Sequence, residues 1–224
     1  MISYKKVEAE KKKIISNCRA CDGNGCNACF GYAAYIDKMA AAHIPVDYWF
    51  RDMKGFYGEQ HFKDNVLSYM NNLHTEFNNG LTLCFTGERG RGKTMAACAI
   101  LKQALLDNYT AFYTTMVEAV DRLMTPDSYV FREAIKNIDF FVIDEVDRRF
   151  FPSRGSMELY GNHFESMLRS RTQNRMPTII CTNSQDTKQI FGGEFQKSFA
   201  SLESQFFRIL HAGGKDARKG EEKL

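Results

Sequence analysis

The chemistry most easily read from this chain lies in a glycine-rich octapeptide, Gly87-Glu88-Arg89-Gly90-Arg91-Gly92-Lys93-Thr94. It fits the spacing G-x-x-x-x-G-K-[ST], in which backbone N–H groups and a helix N-terminus surround a phosphate. In such a loop Lys93 reaches the terminal phosphates of a nucleoside triphosphate, and the Thr94 hydroxyl is placed to ligate Mg²⁺. Asp144-Glu145 follows the apolar run Phe140-Phe141-Val142-Ile143. Two adjacent carboxylates there can divide the work. Asp144 holds Mg²⁺, directly or through water, while Glu145 accepts a proton from, or orients, an attacking water. Thr182-Asn183 closes a further apolar run, Thr178-Ile179-Ile180-Cys181. An Asn there can hydrogen-bond both the attacking water and the γ-phosphate, although a turn-forming Asn before Ser184 has the same spacing. Together these residues predict binding of ATP with Mg²⁺ and its cleavage by water.

A second chemistry sits near the N-terminus. Of seven cysteines, four crowd together as Cys18-x2-Cys21-x4-Cys26-x2-Cys29. In a chain kept in a reducing compartment this is a metal-site spacing rather than a disulfide framework. Four thiolates suit tetrahedral Zn²⁺ with no open position, hence a structural ion. An iron–sulfur cluster also takes four cysteines and stays open as an alternative. Gly23 and Gly25 allow the tight turn that the four-residue spacer demands. Cys84, Cys98 and Cys181 lie in apolar runs and read as small core residues.

These groups need elements to position them. Leu81 to Phe85 reads as a buried strand leading into the glycine loop, and Thr94 to Asp107 as the helix after it, with Ala97, Leu101 and Leu105 on one face. Ala111 to Thr115 is the next strand, followed by a helix through Val117, Val120 and Leu123, broken at Thr125-Pro126-Asp127-Ser128. Phe140 to Ile143 and Thr178 to Thr182 are further buried strands. A long helix between them opens at Gly155 and runs through Met157, Tyr160, Phe164, Met167 and Leu168 to Pro177. A final helix is expected through Phe199, Leu202, Phe206 and Ile209, with Arg208 off its buried face. On its own an exposed Arg near a helix end is a favourable dipole partner. Ile209-Leu210-His211 is a meagre candidate for a last strand. Strand–helix alternation of this kind predicts an α/β fold, a parallel sheet covered by helices on both faces. Ahead of it, Val7 to Ser16 reads as a short charged helix. A connector from about Ala33 to Asn79 carries Ile44-Pro45-Val46-Asp47-Tyr48-Trp49-Phe50 and a helical pattern through Val66, Met70 and Leu73.

Bulk properties exclude some classes. The 224 residues are 44% hydrophobic and 25% charged, ordinary for a water-soluble chain of one main domain with an appendage. No apolar run reaches the roughly 20 residues of a membrane span, and the lysine-rich start has no apolar stretch behind it to make a signal peptide. A net charge of +3 permits a nucleic-acid partner without requiring one.

The order of Gly87–Thr94, Asp144-Glu145-Val146, Pro177 to Ser184 and the segment ending at Phe207-Arg208-Ile209 resembles the AAA+ ATPases of the bacterial replicative helicase loaders, DnaC and DnaI, and the related transposition ATPase IstB. Ile44-Pro45 with Tyr48 behind it resembles the start of the same core, so the likeness spans roughly Ile44 to His211. The resemblance implies a P-loop AAA+ ATPase core at 44–211 with no C-terminal lid. It adds a four-cysteine zinc-binding region at 1–43 that docks on a helicase, and a flexible charged tail at 212–224. It implies that Gly87, Glu88, Arg89, Gly90, Arg91, Gly92, Lys93, Thr94 and Asp144 bind ATP and Mg²⁺, with Asp144 and Glu145 as the Walker B pair. Asn183 then corresponds to sensor 1 and Arg208 to an arginine finger acting in a neighbouring subunit. The implied partners are a DnaB-like replicative helicase, single-stranded DNA and further copies of this chain in a ring or spiral. The implied setting is bacterial cytoplasm, that of the host if the chain is phage-encoded. Arg122, Tyr129, Phe131, Arg132 and Lys136 are candidates for contact with single-stranded DNA, and Arg148 and Arg149 for DNA or a neighbouring subunit. An IstB-like regulator of a transposase is the alternative. A nucleotide kinase would need an acceptor pocket, and a non-hydrolysing zinc adaptor would not use Glu145 at all.

Overall fold

The computed structural model describes residues 2–147, 154–185, 187, 193–214 and 216, with backbone alone at 154–162, 193–196 and 198. The apolar runs become five strands: β1 (Thr82–Thr86), β2 (Ala111–Thr115), β3 (Phe140–Asp144), β4 (Thr178–Cys181) and β5 (Phe207–His211). All neighbours pair in parallel, in the order β2-β3-β4-β1-β5. The helices are α1 (Tyr4–Ser16), α2 (Asn27–Ala41), α3 (Gln60–Asn71), α4 (Leu73–Asn79), α5 (Lys93–Leu106), α6 (Met116–Leu123), α7 (Ser128–Asn137), α8 (Arg154–Gln173) and α9 (Gly193–Phe206).

Strand side chains alternate between two cores, as the pleat requires. Leu83, Phe85, Tyr113, Phe140, Val142, Ile179 and Cys181 face one core, filled by α1 to α5. Cys84, Phe141, Ile143 and Ile180 face the other, filled from α6 to α9 by Met116, Ile135, Phe164 and Phe199. This division follows from chain direction. Parallel crossovers are right-handed, so stepping outward from β1 to β2 puts α5 on one face. The return steps through β3 and β4 and on to β5 put α6, α7, α8 and α9 on the other. The connections leaving β1 and its neighbour β4 go to opposite faces, which leaves a crevice at the C-terminal end of β1 where ligands of such sheets bind.

The first core is continuous with the N-terminal helices. Ile36 and Met39 of α2 are fully buried in it beside Ile44 and Trp49. Helix α2 therefore runs unbroken from the cysteine cluster through Ala33 and onto α5, where the Tyr35 hydroxyl donates to the carbonyl of Lys102 at 2.8 Å.

Two expectations need correction. The final helix stops at Phe206 and Arg208 lies in strand β5, so Ile209-Leu210-His211 belongs to the sheet. The expected buried face ends at Leu202, because Phe206 at the helix end and Ile209 in the edge strand are both exposed. The helix expected through Val117, Val120 and Leu123 forms as α6, with Met116, Ala119 and Leu123 buried and Val117 exposed. Arg148, Arg149 and most of the tail lie outside the described residues, as do the side chains of Met157 and Tyr160.

Candidate active site and metal centre

The loop between β1 and α5 turns because two of its positions accept only glycine. Gly87 has φ of +125°, and a Cβ there would stand 2.4 Å from the carbonyl oxygen of Ala212. Gly92 has φ of +83°, with a virtual Cβ 2.3 Å from the Phe56 ring. Helix α5 then opens at Lys93, so its N-terminus faces the crevice. The loop is tied to the sheet edge by Gly87 N–H donating to Ser184 O at 3.1 Å.

The expected residues converge here. The buried Lys93 ammonium donates to the carbonyls of Gly87 and Glu88, both at 2.7 Å, and to Asn183 Oδ1 at 3.2 Å. Burial pushes its pKa below the ordinary lysine value, opposed by the charges of nearby acidic groups including Asp144. Thr94 Oγ1 donates to Asp144 Oδ2 at 2.7 Å. That carboxylate is oriented by two more donors, the Tyr113 hydroxyl at 2.8 Å and the Glu145 N–H at 2.7 Å. Burial and then the Asp144 charge push the Tyr113 phenol up, keeping it a proton donor. Glu145 turns away from the sheet in the left-handed region, φ +57°, and its carboxyl is exposed at the crevice mouth. Partial desolvation, reinforced by Asp144, raises its pKa, and Arg89 opposes the rise. Solvent screening keeps this effect small.

These groups line a cleft of about 370 Å³ whose floor is Arg89 to Met95, with Asp144, Glu145 and Asn183 beside it. That size suits a nucleotide. A hydroxyl and a carboxylate already in contact are the oxygen donors Mg²⁺ takes when it bridges phosphates. Tyr48, Arg51, Gly55 and Tyr57 complete the lining.

Sequence reasoning missed Tyr113, whose alternating strand pattern marks it only as core. It also missed the lining role of Arg51 and Tyr57, which lie 36 and 30 residues ahead of Gly87 in an irregular segment. Arg208 is not brought to this site. It extends from β5 to Glu76 of α4, 3.2 Å away. Of the candidates for nucleic acid, Arg122 lies over the rings of Phe112 and Phe131, 5.6 and 5.2 Å from their centres. Lys136 pairs with Glu133, Arg132 is exposed 3.5 Å from His163 Nδ1, and Tyr129 is exposed.

In the N-terminal region the four clustered sulfurs lie within 4.8 Å of one another. Cys18 to Cys26 is 3.8 Å and Cys21 to Cys29 is 3.9 Å. Four thiolates at about 2.3 Å from one tetrahedral ion stand about 3.8 Å apart, so the set fits a single ion. A multi-iron cluster would hold its ligands further apart. Cys26 caps α2 reciprocally: its sulfur accepts the Cys29 N–H, and Cys29 Sγ accepts the Cys26 N–H at 3.1 Å. The Cys29 N–H is the main cause that pushes the Cys26 thiol down to about 7, favouring the thiolate that metals bind.

No protein-family model matches the chain, and no curated protein matches it in sequence. Solved structures do match. The crystal structure of DnaI superposes with a TM-score of 0.63 at 16% identity, over 78% of this chain and 94% of that one. The crystal structure of the DnaC helicase loader gives 0.57 at 18% identity, over 75% of this chain and all of that one. The fold is that of a P-loop AAA+ core. The replication initiator DnaA, bound to AMPPCP and single-stranded DNA, gives 0.59 at 15% identity over 78% of this chain and 53% of that chain. At these identities it is the fold that is shared, and the resemblance expected from the motifs holds at that level. Among the described residues no helix is long and apolar enough to cross a membrane.

Proposed function

We propose that this chain is an ATP-dependent helicase loader, which binds a replicative DNA helicase and helps place it on single-stranded DNA under control of its nucleotide state. The observation that carries the reading is one constellation at the sheet's switch point: Lys93 beside Asn183, and Thr94 joined to Asp144 with Glu145 adjoining. Lys93 and the loop N–H groups hold the β- and γ-phosphates of ATP. Thr94 and Asp144 hold Mg²⁺, which supplies charge neutralisation of the phosphates. Glu145 orients the attacking water and accepts its proton, and Asn183 reads the γ-phosphate alongside Lys93. The four cysteines hold Zn²⁺ in a structural site, and the surface before about residue 33 docks the helicase. Similarity in fold to DnaI and to the DnaC helicase loader, over nearly the whole length of those structures, supports the loader role.

The test has two arms. Purified protein should release phosphate from Mg·ATP with no acceptor added, which a kinase would not do. It should also retain a DnaB-like replicative helicase, and Cys18→Ser/Cys21→Ser should lose that helicase while keeping ATP binding. Retention of a transposase in place of the helicase overturns the loader role in favour of the IstB-like one.

A further inference from the structure

Lys102 is an ionisable side chain that the mechanism above leaves unused. It sits on α5, nine residues beyond Lys93, about 14 Å along the helix axis. Its side chain is buried in the first core. There the ammonium donates to three main-chain carbonyls of one segment: Tyr48 O at 2.8 Å, Trp49 O at 3.4 Å, and Arg51 O. An ammonium has three donors, so all three are used on this segment. The carbonyls belong to the end of the one-turn 3-10 helix Val46–Tyr48 and the bend after it. Carbonyls at such an end have no partner of their own and favour a cation. Beyond them the chain continues through Gly55 and Tyr57, so the segment Lys102 grips supplies Tyr48, Arg51, Gly55 and Tyr57 to the cleft lining, with Tyr48 against Thr94. Trp49 fixes the other side, its indole N–H donating to Ile44 O at 2.8 Å.

Resting on the nucleotide reading above, we propose that Lys102 is a positioning residue: it holds residues 48–51 in place as part of the lining of the nucleotide site. Burial lowers the lysine's pKa, and three carbonyl dipoles offset the cost of keeping a charge there. Helix α5 thereby carries two anchors of the site, the phosphate anchor at its first residue and the lining anchor in its third turn. The Tyr35 hydroxyl on the Lys102 carbonyl places α2 on the same turn.

Lys102→Met keeps the volume and removes the donors. In the full-length protein it should weaken Mg·ATP binding by about tenfold, because residues 48–51 must then be ordered on binding. Binding of Mg·tripolyphosphate, held by the phosphate loop with Asp144 and Asn183, should change less, by about twofold at most. Trp49 is the sole tryptophan, so its emission should shift to the red and its quenching by acrylamide increase. If Lys102→Met does not fold, Lys102→Gln, which retains two N–H donors, should show the same split at smaller size. Equal loss of both probes, or ATP binding and Trp49 emission both like wild type, overturns the role. Wild-type protein that binds neither probe sinks the nucleotide reading instead. The Trp49 shift in Lys102→Met still decides the clamp in that case.

Discussion

Glu145 shows how one residue's backbone and charge serve the same end. Its left-handed φ swings the carboxyl out of the sheet toward the crevice mouth, while its N–H stays on Asp144. The two carboxylates are thus held in different places: Asp144 inward, on Thr94 and Tyr113, and Glu145 outward, where water can reach it. Glu145→Gln keeps the shape and removes the base. Turnover should fall on the order of 10²- to 10³-fold with ATP binding intact, measured by phosphate release and by calorimetric titration. The raised pKa has a sign that can be checked. A base must be deprotonated to act, so kcat should fall as pH drops, at a pH above that of an unperturbed glutamate. Charge removal at Arg89, which opposes the rise, should move that acid limb further up in pH.

At the level of elements, the strands were legible because fully buried parallel strands are continuous apolar runs, as Phe140 to Ile143 is. The loop and the cysteine cluster were legible because phosphate and metal chemistry dictate spacing. The boundary between α9 and β5 was not. Phe206 to Leu210 satisfies a helical face and a strand equally, and only the open edge beside β1 makes it a strand. Tyr113 and Lys102 were illegible for a different reason, since their partners lie 31 and about 50 residues away. Arg171 belongs with them. Wholly buried on α8, it bonds Thr178 Oγ1 and the carbonyls of Ile135, Ile138, Asp139 and Pro177, and it lies over the Phe141 ring. It staples the end of α7 to the starts of β3 and β4. Burial pulls its pKa down to about 9, leaving it charged at neutral pH. Arg171→Met should cost about 3 kcal/mol by leaving those acceptors unpaired, a fall in Tm of roughly 6–12 °C. A melt unchanged within about 1 °C would show that the staple is redundant.

At the scale of the whole molecule the question is what Arg208 is for. It is paired in register with Leu83, near the start of β1, whereas the phosphate loop begins after the end of that strand. Four residue steps separate Leu83 from Gly87, about 13 Å, and Arg208 points instead to Glu76 of α4. It is therefore out of reach of its own phosphate site and stands on the sheet's open edge, where a neighbouring copy can approach. A head-to-tail contact between this edge and the crevice of the next copy repeats into a ring or a spiral. In that arrangement Arg208 leaves Glu76 for the neighbour's γ-phosphate, as an arginine finger does. Three outcomes follow. Specific activity of the wild type should rise with protein concentration. Arg208→Ala should bind ATP normally yet turn over about 10³-fold more slowly. Mixing it with Lys93→Ala should restore turnover that neither variant has alone, because the Lys93→Ala copy lends its arginine to an intact phosphate loop. An inactive mixture, or an Arg208→Ala protein as fast as wild type, would leave the arginine as the surface partner of Glu76 and nothing more.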